Sequence, residues 1–505
     1  MSDKNRQVKL GAIFSYLLII INALYSVVLT PYIISIVGEF DYGVYKSVAA
    51  VIAAMMVLDL GVGGTVQRYI AKFRAYNEEY KIPNFMSLSF FVALIIVGIM
   101  GIAVLLGHNL IPLLYGKTFS CSQIELAKVI FAISSFGLLI HVIENVVNGF
   151  ITGYNDFVFG NGIRLASIIL RIVLLIILLR IYKSVLVIVI ITTALSVFFL
   201  LVEYVYARKK LGLKIKYECW DKSLFAEAGK YTALMFLTSL AGQFFNNVDS
   251  IVIGSIDGPA FVTVYSIALM LFTMFQNLSA GIAGVMLPTV TDVLSQADGG
   301  KKIINVVISA GRMQFLLLGA ALSGFIIIGK DFINVWMGAG YEDVYMIALI
   351  LLVPSMFELC INVCHSILRA NNKLGFRTGV VVVSAITNAI LTIIFVKTWS
   401  YIGAAVATAI SYTIFSLIVM NFYYSKSFHL PMKSIYREIV KGILPCNIIA
   451  SLVLWIVSKY FYGSWIAVFI CIFIFCLVYG ICLLLFGLKK EEKVQMPLLG
   501  KFFRK

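Results

Sequence analysis

Residues 56–74, MVLDLGVGGTVQRYIAKFR, place Asp59, Gly61, Gly63 and Gly64 in an apolar run that closes on Arg68, Lys72 and Arg74. Between a strand and a helix, such glycines would present backbone N–H groups to a phosphate. Neither a Gly-Lys-Ser/Thr element nor a strand–turn–helix pattern accompanies them, so a nucleotide loop is not the reading. Cys360, Cys364 and His365 suggest metal chemistry, but no other Cys or His cluster completes a ligand set. The longest segments expected on the outer side, about 107–123 and 330–343, are short and offer no acid–base pair. No metal or cofactor is expected, and the chain does not read as an enzyme. The unusual feature is charge in apolar surroundings. A charge at the centre of a membrane helix costs about 2.5–3.5 kcal/mol on insertion scales, so it needs a partner or water.

The surroundings are a membrane. The 505 residues are 61% apolar and 13% charged, with a mean hydropathy of +1.00. A soluble domain is about half apolar and a quarter charged. Apolar stretches between polar breaks predict about fourteen spans, each near the ~20 residues a bilayer core requires. They lie near 10–36, 43–67, 84–106, 124–151, 161–181, 184–206, 226–256, 260–288, 303–329, 344–368, 376–396, 399–423, 436–458 and 464–487. With the N-terminus inside, outward segments hold only Lys117, Arg180, Lys183, Lys330, Lys397 and Lys459 of the 40 Lys and Arg. Most of the rest fall in inward loops, the pattern of a multi-pass protein with both termini cytoplasmic. The net charge of +16 is therefore topological, and nucleic acid is not an expected partner. Basic clusters such as ARKKLGLKIK (207–216) suit anionic phospholipid headgroups.

The segment SIVGEFDYGVY (35–45) recurs as SIDGPAFVTVY (255–265), and Asn145, Asn155, Phe159 and Gly162 align with Asn362, Asn372, Phe376 and Gly379. This predicts a duplicated six-helix unit in parallel orientation, with 1–215 and 216–430 as lobes and 431–505 as two further helices and a basic tail. Helical spacing puts His141, Glu144 or Asn145, and Asn148 on one stripe, and Glu358, Asn362, His365 and Arg369 on another. Interhelical hydrogen bonds would explain each Asn or Gln alone. A water-filled cavity better explains Arg171, Arg312, Asp59 and Asp249. Arg68 and Lys46 could instead snorkel to headgroups.

The opening stretch KLGAIFSYLLIIINALYSVVLTPYIISIVGEFDYGVY, then LDLGVGGTVQRYIAKFRA, NNVDSIVIG and VYSIA, resembles the Wzx-type polysaccharide flippases of the MOP exporter superfamily. The resemblance implies an all-α, alternating-access carrier in the cell membrane, with two pseudo-symmetric six-helix lobes and two extra C-terminal helices. It implies transfer of an undecaprenyl-pyrophosphate-linked oligosaccharide from the inner to the outer leaflet, in the company of polysaccharide assembly proteins. Arg68, Arg164, Arg171, Arg312 and Lys46 would then meet the pyrophosphate, because guanidinium binds phosphate oxygens bidentately. Asn145, Asn148, Gln243, Asn246, Asn247, Gln276 and Asn362 would line the sugar path. Asp59, Asp249, Glu144 and Glu358 would couple transport to H+ or Na+, or simply pair the arginines. The peptidoglycan-precursor relative carries an arginine in its first span, and none lies between Lys9 and Lys46 here. Such a precursor flippase and a multidrug or cation antiporter remain the alternatives. A membrane glycosyltransferase or polymerase fits less well.

Overall fold

A computed structural model describes residues 2–218, 222–294, 299–371, 373–489 and 492. Regular structure among them is entirely helical. In chain order the helices are α1 (Ser2–Val37), α2 (Glu39–Met55), α3 (Val62–Ala75), α4 (Ile82–Tyr115), α5 (Cys121–Gly153), α6 (Phe157–Tyr182), α7 (Leu186–Lys209), α8 (Lys222–Ile256) and α9 (Pro259–Leu294). They continue as α10 (Gly299–Met337), α11 (Asp343–Leu359), α12 (Cys364–Ala370), α13 (Leu374–Ser411), α14 (Met420–Phe428), α15 (Met432–Val440), α16 (Ile443–Ser458) and α17 (Trp465–Cys482). Among the described residues nine helices are long and apolar enough to cross a membrane, or eleven if each bent pair is one span. This is a multi-pass membrane protein. The set is consistent with fourteen spans once α1 and α8 are added and the run 375–428 is divided at its kink, Trp399–Ser400. α4 exposes Leu94, Ile95, Ile99, Ile102, Leu105 and Leu106; in water so large an apolar face would be a liability, but lipid covers it. The tail beyond Leu488 lies largely outside the described residues.

Expected spans are broken at 56–61, at 360–363 and at 441–442, the last bending α16 by 45° from α15. Between α2 and α3 the chain tightens to a 3₁₀ turn at Met56–Asp59, and Leu60 (φ 56°) and Gly61 (φ 68°) are left-handed. The glycines of the opening stretch therefore do not share one continuous helix. Gly61 makes the break, while Gly63 permits close contact: a Cβ there would lie 2.7 Å from the Asn145 carbonyl oxygen on α5. The second break, at residues 360–363, bends α12 by 50° from α11.

The chain folds as two compact units, Met1–Ser266 with Ala385–Ala404, and Ile267–Ser384 with Ala405–Lys505. The repeat boundaries at 215 and 430 concern duplication rather than compactness. In unit 1, Val66, Tyr69 and Ile70 of α3 and Met86 and Met100 of α4 bury against Val142, Val146 and Phe150 of α5. α5 begins at a capping box, Ser120 with Gln123. Asp156 caps α6 by accepting from Phe159 N, and it also receives the Tyr206 hydroxyl of α7. In unit 2, α10 packs against α11, α15, α16 and α17.

Candidate functional site

The stripe on α5 organises unit 1. Asn145 Nδ2 donates to Asp59 Oδ2 at 3.0 Å. His141 Nδ1 lies 3.3 Å from Glu144 Oε2. One turn beyond Asn145, Asn148 joins two helices: its Oδ1 accepts from Arg164 Nη2 at 3.1 Å, and its Nδ2 donates to Glu203 Oε1 at 3.1 Å. Asp59 is delivered by the α2–α3 break, Arg164 by α6 and Glu203 by α7. Arg164 is exposed, whereas Glu203 is 1% exposed. Asn148, Arg164 and Glu203 all lie within about two turns of the helix ends beside Tyr154–Asp156, by the helix rise. At that end Arg74 donates to the Tyr154 carbonyl at 3.0 Å and covers its ring at 4.4 Å. Arg68, on α3, is exposed and has a partner of its own.

Further along unit 1, Lys46 and Arg171 share a tyrosine cluster. Lys46 Nζ sits 5.3 Å and 5.8 Å from the ring centroids of Tyr42 and Tyr45. Arg171 hydrogen-bonds Tyr25 and is close enough to Tyr45 for charge to be felt. Its Nε is buried without a hydrogen-bond partner. Asp249 is a separate node, 2% exposed, accepting from Tyr265 Oη at 2.5 Å, Thr392 Oγ1 at 2.8 Å and Asn388 Nδ2 at 3.4 Å. Asn247 turns back on Gln243, with Nδ2 3.0 Å from Oε1, and Asn246 is exposed.

Unit 2 gathers a second polar group at the α11–α12 break. Glu358 Oε1 lies 3.2 Å from His365 Nε2, and its Oε2 accepts from Tyr412 Oη at 2.7 Å. Gln276 bonds Tyr412, and Arg377 is near enough to act electrostatically on Glu358, His365 and Tyr412. Asn362 reaches Ser279 Oγ at 3.4 Å. His365 is thus held by a carboxylate. Among the described residues no group of three or more His, Cys, Asp or Glu is placed to hold a metal.

Arg312 does not fit the expected phosphate role. It is 2% exposed. Nε donates to Glu492 Oε1 at 2.6 Å, Nη1 to the carbonyls of Glu438 (3.1 Å) and Lys441 (2.7 Å), and Nη2 to the Gly487 carbonyl (2.9 Å) and Glu492 Oε2 (3.1 Å). All five N–H groups are used, so none is left for a ligand. Burial pushes the Glu492 carboxyl up, but bonds from Arg312 and the Lys489 backbone outweigh it and hold the group below the ordinary carboxylate value.

The sequence and the helical membrane fold belong with one set of known proteins. A family described as polysaccharide biosynthesis protein matches residues 8–294. The chain belongs to that family. Its sequence is 24% identical over 256 residues to the "Probable low-salt glycan biosynthesis flippase Agl15" of Haloferax volcanii, covering 51% of this chain and 53% of Agl15. A match to the "Probable flippase AglR" of the same organism covers 39% of that protein. The chain thus spans about half or less of the length of these curated relatives. Its fold resembles that of the lipid II flippase MurJ in an inward closed conformation (TM-score 0.69, 18% identity, 94% of this chain and 97% of that one). It also resembles an inward-facing multidrug resistance MATE family transporter of the MOP superfamily (TM-score 0.62, 16% identity, 81% and 95%). The chain therefore shares the fold of these two transporters.

Glu203, Tyr412, Arg377 and the Asp249 partners Tyr265, Asn388 and Thr392 have no role in the sequence reading. Glu203 sits just before the basic end of α7, where a charge reads as a flank. The others are ordinary polar residues until their partners are known.

Proposed function

We propose that this protein is a flippase for undecaprenyl-pyrophosphate-linked oligosaccharide, carrying it from the inner to the outer leaflet of the cell membrane by alternating access. The observation that carries this reading is the α5 line in unit 1, where exposed Arg164 is backed by Asn148 and Glu203 and flanked by Asn145 and Asp59. Arg164 and Arg68 offer guanidinium groups to the diphosphate. The α5 amides offer hydrogen bonds to sugar hydroxyls, as do Gln243, Asn246, Asn247, Gln276 and Asn362. Lys46 and Arg171, in their tyrosine cluster, form a second station for an anion. Arg312 is left out because it has no donor to give. Asp59, Glu144, Asp249 and Glu358 are the candidates for coupling to H+ or Na+. Both termini face the cytoplasm, the 207–216 stretch meets anionic phospholipid, and the protein works with polysaccharide assembly proteins.

The name of the Haloferax relative and the family description support a glycan substrate. A duplicated origin, with 1–215 and 216–430 as the copies and 431–505 added, is supported by backbone geometry. Gly38 (φ 87°) and Gly258 (φ 104°), matched in the repeat, both have positive φ, as do Lys183 (φ 46°) and Ser400 (φ 54°) at the offset of Asn145 and Asn362. A second reading, a peptidoglycan-precursor flippase, is favoured by the fold likeness to MurJ. Reconstitution decides between them. Vesicles holding the protein and a fluorescent undecaprenyl-diphosphate oligosaccharide should expose the label to an external quencher faster than empty vesicles. Movement of lipid II in its place would favour the second reading, and movement of neither would reject both.

A further inference from the structure

Asn148 lies between a cation and a carboxyl group in a particular sense. Its carbonyl oxygen faces the Arg164 guanidinium and its NH₂ faces Glu203, each at 3.1 Å. The amide dipole thus links a positive group on α6 to a negative one on α7. Glu203 is 1% exposed, and its Oε2 has no hydrogen-bond partner. Among the described residues no guanidinium or ammonium bonds it directly, so its charge is offset by Arg164 acting across the amide. The other titratable groups facing it are His141 and Glu144 on α5. Asp156 is engaged with Tyr206 on α7 itself.

We propose that Glu203 is a proton-binding site linked through Asn148 to anion binding at Arg164, an inference that rests on the diphosphate reading of Arg164. When a phosphate takes the guanidinium, Glu203 loses its offsetting charge while it stays buried. An uncompensated buried carboxylate is costly and neutralises instead. Oε2 takes a proton from bulk water, and one positive charge enters with the lipid head. Linkage is reciprocal, so a proton on Glu203 tightens phosphate binding at Arg164.

The test is titration calorimetry on the full chain in nanodiscs, using farnesyl diphospho-N-acetylglucosamine as probe. Both of its phosphates stay singly charged near neutrality, so the probe itself exchanges no protons. Repeating the titration in buffers of different ionisation enthalpy counts the protons taken up. The unaltered protein should take up a measurable fraction of one proton and bind more tightly as pH falls, by up to about tenfold per unit for a full one-proton linkage. Glu203→Gln should bind with no uptake and a flat pH profile, while His141→Gln should keep the uptake. Zero uptake by the unaltered protein overturns the proposal without any variant. So does uptake that survives Glu203→Gln or vanishes in His141→Gln. Binding without proton linkage leaves the diphosphate reading standing, whereas no binding at any pH removes both.

Discussion

Arg164 reaches the surface of unit 1 with its guanidinium already oriented by Asn148. An exposed side chain can be removed without opening a cavity. Hydrogen bonds to charged groups are worth about 1.5–3 kcal/mol, so Arg164→Ala should weaken diphosphate binding about 10- to 100-fold. Microscale thermophoresis with the same probe would measure it. Individual residues were legible where helical spacing alone sets them side by side, as with His141, Glu144, Asn145 and Asn148 on α5. Partners distant in sequence were not: Asp59 is 86 residues from Asn145, and Glu203 is 55 from Asn148. Arg312 misled for a related reason. Its acceptors are mostly backbone carbonyls at helix ends 126 to 175 residues away, and nothing in a residue's type marks which carbonyl will be free.

At the scale of elements, the α3–α5 contact and the Arg312 staple make separate predictions. Gly63→Val would force a branched side chain toward the Asn145 carbonyl, which even a Cβ would approach to 2.7 Å. Overpacking of this kind costs about 1–3 kcal/mol, and a lower thermal midpoint in detergent would show it. Arg312→Ala would strand the Glu492 carboxylate and three carbonyls. Losing one partner of a buried pair costs about 3–5 kcal/mol, so the midpoint should fall further than for Gly63→Val. The acid response follows from Glu492. Its carboxyl lies below the ordinary value of 4.5 in the folded protein. The stability it adds is therefore present above about pH 4.5 and is lost as pH falls through the lowered value. Protein carrying Glu492→Gln should start less stable at neutral pH and lose less stability in acid. The helices themselves were legible from apolar run length. Their breaks were less so: Gly61 hinted at one, but nothing in ELCINVC announces the turn at 360–363.

For the whole molecule, the distribution of Lys and Arg predicts which loops face the cytoplasm. In a background lacking native cysteines, Lys117→Cys should react with an impermeant maleimide only from outside the cell, and Lys209→Cys only after the membrane is opened. The reverse pattern would invert the proposed direction of transport. Fold class was readable because bilayer thickness fixes span length, and the family because its opening stretch is distinctive. The cargo is less readable, since the chain shares one architecture with a lipid II flippase and a multidrug transporter, and architecture alone does not say what is carried. The most direct test is therefore binding of farnesyl diphospho-N-acetylglucosamine to the unaltered chain, Arg164→Ala and Arg180→Ala, the last an exposed arginine at the opposite end of α6. Loss of affinity by tenfold or more in Arg164→Ala alone is the predicted result, and equal affinity in all three proteins would contradict it.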